Sequence, residues 1–124
     1  LYDQELYTPH ATRDLAGELI REQCFEHLHD EIPFGLAVRL RQFDESKPNL
    51  LRVEADVVVA KENHKPMVIG QGGQKLKTIS MAARKSVESL VGKQVYLRLH
   101  VAVRSRWMEN VGSMKEFGYV STNA

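Results

Sequence analysis

Val68-Ile69-Gly70-Gln71-Gly72-Gly73-Gln74-Lys75-Leu76-Lys77-Thr78-Ile79 sets an apolar pair before Gly-x-x-Gly and a basic amphipathic run after it. Gly70, Gly72 and Gly73 leave three of the four loop positions without a Cβ. The backbone there can turn sharply between two helices and let another chain approach closely. From Gly73 onward the spacing is helical, so the turn sits at a helix N-terminus. Free amides and the positive end of the helix dipole gather there and suit a phosphate. Lys75 and Lys77 add mobile positive charge beside it. On these residues alone a purely structural role, with the glycines ending one helix and opening the next, stands level with the binding role. A P-loop needs Gly-x-x-x-x-Gly-Lys-Ser/Thr and a dinucleotide fold needs Gly-x-Gly-x-x-Gly; neither string occurs.

At 124 residues the chain fits a single domain whose core needs no disulfide or structural metal. Cys24 is the one cysteine and falls in an apolar helical stripe, where a buried core thiol is expected rather than a nucleophile. No secretory signal or membrane-length apolar run stands out, so a cytoplasmic setting is the expectation. The first residue is Leu1, not Met, from which the expectation is a piece of a longer protein.

Formal net charge is only +1, yet the charges are segregated. Residues 1–31 hold eight acids (Asp3, Glu5, Asp14, Glu18, Glu22, Glu26, Asp30, Glu31) against Arg13 and Arg21. Residues 61–106 hold ten bases (Lys61, Lys65, Lys75, Lys77, Arg84, Lys85, Lys93, Arg98, Arg104, Arg106) against Glu62 and Glu88. The basic block contains the glycine loop, an arrangement suited to a polyanion on one side of the domain.

Residues 1–8 read as a linker remnant, residues 9–120 as the domain and residues 121–124 as a fraying tail. Thr8-Pro9 is a good helix start. Leu15, Leu19, Ile20, Cys24 and Leu28 follow at helical spacing with Phe25 alongside, opposite Glu18, Arg21, Glu22 and Glu26. Pro33 ends that helix. His27 and His29 lie on different helix faces and make a poor metal pair. Leu36, Val38 and Leu40 alternate with Ala37, Arg39 and Arg41 as a half-buried strand, and residues 44–49 read as a polar loop. A second strand sets Leu51, Val53, Ala55, Val57 and Val59 inward, with Arg52, Glu54 and Asp56 outward. The two strands predict an antiparallel hairpin, with Glu54 and Asp56 pairing to Arg39 or Arg41 on an exposed face.

Asn63 is placed to N-cap a short helix through Ile69, with Pro66 in its first turn. After the glycine loop, the helix over 73–91 carries a stripe of Leu76, Ile79, Ala83, Val87 and Leu90, and Gly92 closes it. A third strand over 95–104 turns Val95, Leu97, Leu99, Val101 and Val103 inward, with His100 as a surface residue. Residues 107–117 read as a short C-terminal helix packed by Trp107, Val111, Met114 and Phe117, with Gly118 as its cap. The sum is a two-layer α+β domain: a three-stranded sheet with helices on one face and a solvated, arginine-bearing opposite face.

The glycine stretch, with its flanking apolar and Leu-Lys-x-Ile residues, resembles the signature of the KH domain, a single-strand RNA-binding module. The order of elements resembles the type II KH fold. Glu18-Leu19-Ile20-Arg21-Glu22, Glu31-Ile32-Pro33-Phe34, Ala83-Arg84-Lys85, Val95-Tyr96-Leu97, Trp107 and Phe117-Gly118-Tyr119 extend the likeness over nearly the whole chain. Together they look like the C-terminal KH domain of the Era family of ribosome-assembly GTPases. That resemblance implies binding of the single-stranded 3′ end of small-subunit ribosomal RNA. The implied partners are this RNA, the 30S-type subunit and an N-terminal GTPase domain of the same protein. GTP and magnesium would belong to that domain, and no cofactor to this fragment. Peripheral association of the full protein with the inner membrane stays open.

Transferred residue by residue, Gly70, Gln71, Gly72 and Gly73 would hold the RNA backbone, with Val68 and Ile69 building an apolar groove. Lys65, Lys75 and Lys77 would lie beside the nucleotides. The stretch departs from the family at Gln71, where a basic residue is frequent, and in residues 61–66. Phosphate attraction then falls to loop amides and to Lys61, Lys65, Lys75 and Lys77. A KH-like module that has lost RNA binding and docks a protein instead is the second reading, supported by the neutral Gln71-Gly72 pair. An enzyme fragment is the third, and no convergent set of titratable groups supports it.

Overall fold

The computed structural model describes residues 9–28, 32 and 35–104. The linker remnant, the Thr8 cap, His29, Pro33 and the helix and tail expected beyond residue 104 lie outside the described residues. Elements follow the order α1 (Pro9–His27), β1 (Ala37–Lys47), β2 (Leu50–Val59), α2 (His64–Ile69), a 3₁₀ turn (Gln71–Gly73), α3 (Gln74–Val91) and β3 (Gln94–Val103). The sheet order is β1-β2-β3, antiparallel between β1 and β2 and parallel between β2 and β3. A parallel pair needs a crossover, and α2, the glycine turn and α3 supply it. The expected α+β architecture, three strands with helices on one face, is what the chain adopts.

The core lies between the helices and the sheet. Leu51, Val53, Ala55, Val57 and Val59 of β2 are fully buried, as their alternation predicts, and meet Ile79, Ala83 and Val87 of α3. Leu90 is half-buried, at the margin of that stripe. The buried seam of α1 differs from the expected stripe. It runs Thr12, Ala16, Ile20, Cys24 and Leu28 at strict i, i+4 spacing, while Leu15 and Leu19 are only half-buried. α1 packs against both α3 and β1, which turns the line from Thr12 to Leu28 inward and leaves Leu15 and Leu19 at its margin. A Cβ at Gly17 would stand 3.9 Å from Leu40 Cγ. Burial pushes the Cys24 thiol up to about 12, so it stays a protonated core group, as expected.

β1 runs on to Lys47 through residues expected to form a loop, leaving a two-residue turn at Pro48-Asn49. Ladder bonds to β2 override the polar composition, and the Asp44 carboxylate accepts the Ser46 amide at 2.9 Å. The strand carries a bulge at Arg41, where the register steps from Leu40↔Ala55 to Gln42↔Glu54. One extra residue reverses the side-chain parity. Phe43, an odd-numbered residue after the even-numbered Val38 and Leu40, therefore joins them against the core.

Arg41 itself lies on the outer face, as alternation with Leu40 predicts, 3.6 Å from Asp56. This is the expected ion pair, but the expected exposure is absent: Asp56 is 3% exposed and Val58 beside it is fully buried. This end of the outer face is thus not solvated. Glu54 pairs with His100 at 3.9 Å rather than with an arginine.

Burial pushes the Asp56 carboxyl up from its ordinary 3.8, against the lowering pull of Arg41, His100 and Arg39. A raised carboxyl makes the native state the better proton binder, so stability is lost as pH rises from the ordinary value through the native one. Asp56→Asn removes that slope. Urea midpoints of the variant should gain on the parent as pH rises through the mildly acidic range, and a flat or falling difference would count against it. Ile20→Ala should cost about 2–5 kcal/mol in the same assay, as a buried cavity does.

Candidate nucleic-acid interface

Asn63 occupies the N-cap position of α2, but its side chain makes no capping bond, which differs from expectation. Its own φ of −73° and ψ of −7° are helical rather than the extended values a cap adopts, so the amide cannot fold back onto the first turn. His64 opens the helix 4% exposed, with Nδ1 lacking a hydrogen-bond partner among the described residues. It therefore anchors the helix by burial alone. Pro66 sits in the first turn, as expected.

The chain leaves α2 when the Gly70 amide bonds the Pro66 carbonyl at 2.8 Å. Gly70 then takes φ 78° and ψ 173°, a region essentially reserved for glycine. A Cβ on it would stand 2.6 Å from Lys75 Cβ and 2.8 Å from the Lys75 amide nitrogen. The loop is therefore folded tightly onto the first turn of α3. Gly72 (φ 63°) and Gly73 (φ 78°) also have positive φ, but nothing lies within 4 Å of their missing Cβ atoms. Gly70 is required by contact, and the other two by conformation. Gly73 precedes α3 in the left-handed region, so the helix begins at Gln74 rather than at Gly73.

Inside the turn the Gly73 amide bonds the Gly70 carbonyl at 3.1 Å, and the Gln74 amide bonds that of Gln71. These bonds leave the amides of Gln71 and Gly72 without a backbone partner among the described residues. Both residues are exposed, and the N-terminal turn of α3 follows at once. Lys61 and Lys77 are exposed, Lys65 and Lys75 half-buried, and none has a carboxylate partner among the described residues. The turn thus presents free donors, and Lys75 packs directly against it at Gly70.

The apolar side is divided differently from the sequence reading. Val68 is fully buried in the core and offers no surface; it pins α2 in place. Ile69 is half-buried, and Met67, 50% exposed, lies two positions before it. Facing them, α2 packs against β3 as well as α3. β3 is an edge strand, and the half-buried Leu97 and Val101 lie on its helix side. The Val95 amide points off the sheet and donates to Glu88 Oε2 at 3.1 Å. By strand alternation the backbone groups of Leu97, Leu99 and Val101 face the same open edge. Sequence pattern found the inward face of β3 but carried no signal that this strand is an edge. The described residues hold no cluster of metal-ligating side chains, and no described helix is long and apolar enough to cross a membrane.

A KH domain family profile matches residues 31–108. The chain is 35% identical over 118 residues to GTPase Era of Clostridium botulinum strain Hall, covering 95% of this chain and 40% of that protein. It is 37% identical over 117 residues to GTPase Era of Erythrobacter litoralis, covering 94% and 38%. The chain thus spans about two fifths of the curated relatives it matches. A crystal structure of Era in complex with MgGDPNP and nucleotides 1506–1542 of 16S ribosomal RNA superposes with a TM-score of 0.74 at 32% identity, over 96% of this chain and 40% of that one. A point variant of Aquifex aeolicus Era bound to GDP.AlF4- superposes at 0.70 and 36% identity, over 85% and 36%.

Gly70→Ala should destabilise the domain more than Gly72→Ala, because only the first adds a steric clash to the unfavourable φ. The Gly72 variant should lose only the ~1–2 kcal/mol of a left-handed residue. Urea denaturation of both variants checks the order, and equal losses would refute the close-contact account of Gly70.

Proposed function

The chain belongs to the KH domain family, and from that premise we propose that it binds single-stranded RNA at the glycine turn, as the RNA-recognition part of an Era-type GTPase in small-subunit ribosome assembly. The observation that carries this is the exposed pair of unpartnered amides at Gln71 and Gly72, set among lysines with no carboxylate partner among the described residues. Sugar-phosphate oxygens accept from such amides, and Lys65, Lys75 and Lys77 supply the charge that neutral Gln71 does not. These contacts fix the strand in place without reading its sequence. The bases then lie over Ile69 and the helix side of β3. Their edges meet the open backbone groups of Leu97, Leu99 and Val101, the part of the site able to discriminate.

The RNA on this reading is the single-stranded 3′ end of small-subunit ribosomal RNA, encountered on the 30S-type subunit in the cytoplasm. The Era structure that holds nucleotides 1506–1542 of 16S ribosomal RNA supports the choice. The domain itself binds without chemistry. Nucleotide hydrolysis, with GTP and magnesium, belongs to the GTPase portion of the whole protein.

Gly72→Asp tests the site with little risk to the fold. The position is open, and aspartate tolerates a left-handed backbone. Its carboxylate would stand where a phosphate belongs. Affinity for a short single strand copied from the 16S 3′ end should fall roughly tenfold or more, and the parent's affinity should drop steeply with added salt. A folded variant with an unchanged binding curve would move recognition away from the turn.

A further inference from the structure

The outer face of the sheet carries a group of side chains that the glycine turn does not use. Arg52 of β2 and Tyr96 of β3 are register partners, and the guanidinium carbon lies 5.1 Å from the ring centroid. Tyr96 is 45% exposed and Arg52 is exposed as well. Two residues along β3, on the same face, stands exposed Arg98. The acids nearby are already engaged. Glu54, its cross-strand neighbour, turns to His100 instead, and Asp44, opposite Arg52, holds the Ser46 amide. Arg98 has no ion-pair partner among the described residues. An exposed aromatic ring with one guanidinium over it and a second arginine two residues along the strand can serve as a stacking platform with a phosphate contact beside it.

We propose that Arg52, Tyr96 and Arg98 form a second contact for single-stranded RNA, which rests on the RNA reading of the glycine turn. A base stacks on the exposed Tyr96 ring beside Arg52, and Arg98 takes the adjoining phosphate. The choice of a polyanion rests on Arg98: Arg52 lies across from the Asp44 carboxylate and is occupied with the Tyr96 ring, whereas exposed Arg98 has no ion-pair partner among the described residues. The location sets which RNAs use it. Only Gly92 and Lys93 separate α3 from β3, so the platform lies near the C-terminal end of α3. The glycine turn lies at the other end, about 27 Å away along an 18-residue helix, and on the opposite side of the sheet. A strand must pass round the open edge of β3 to reach both, so short RNAs fill only the turn.

The test uses the 124-residue chain and two fluorescent single strands from the 16S 3′ end, of about four and about sixteen nucleotides. Anisotropy titrations are run on the parent, Tyr96→Ala, Arg98→Gln and Gly72→Asp. Tyr96→Ala and Arg98→Gln should each weaken the longer strand roughly tenfold and leave the shorter one unchanged. Gly72→Asp should weaken both. If the two sheet variants bind the longer strand like the parent, or lose both strands equally, the second contact is refuted while the turn keeps its role. If Gly72→Asp leaves the shorter strand untouched, the reading of the turn fails, and the second contact fails with it.

Discussion

The parallel pairing of β2 with β3 governs the rest of this domain. Two strands running the same way cannot be joined by a tight turn, so the chain must travel back along the sheet before β3 begins. α3 makes the return journey, packs on β3 and brings Ile79, Ala83 and Val87 into one core with the valines of β2. The reversal itself happens in the few residues between α2 and α3. It is compact only because Gly70 lets the turn close onto Lys75. The same turn exposes the Gln71 and Gly72 amides, since its internal bonds serve only those of Gly73 and Gln74. The site is thus a by-product of the topology: the corner of the crossover is where backbone donors run out of partners.

Electrostatics acts on that corner from both directions. Glu18, Glu22 and Glu26 lie along α1, which packs its buried seam against α3 and β1. They leave α1 repulsive to phosphate. The lysines around the turn attract it. A domain with almost no net charge can therefore orient an approaching polyanion, because its field depends on the distribution and not on the sum.

Much of this was legible in the chain. The β2 and β3 alternation, the stripe of α3 and the three glycines each follow from one local rule, and each holds. What was not legible depends on partners distant in sequence. Nothing around Arg41 marks an extra residue, yet the bulge there turns Phe43 inward. Alternation assigns Asp56 to an open face, because period 2 tells which side a residue takes and not what covers that side. The seam of α1 lies along Thr12, Ala16 and Ile20 because the helix packs on α3 and β1 at once, a placement that the spacing of its leucines does not reveal. Val68 reads with Ile69 as a builder of the apolar groove, but one position of rotation on α2 separates fully buried Val68 from half-buried Ile69.

The irregularity of β1 also bears on how the domain keeps its own company. A sheet with free edges invites strands from other molecules to extend it. β1 breaks its hydrogen-bonding rhythm at Arg41 and again between Asp44 and Lys47, and Arg13 Nη2 donates to the Leu40 carbonyl at 3.2 Å. A foreign strand laid against β1 would find its donors and acceptors out of step. At the other edge Glu88 occupies the Val95 amide, which shortens the run open to invasion. The sheet is guarded against self-association along one border, and along the other the backbone groups of Leu97, Leu99 and Val101 have no ladder partner among the described residues.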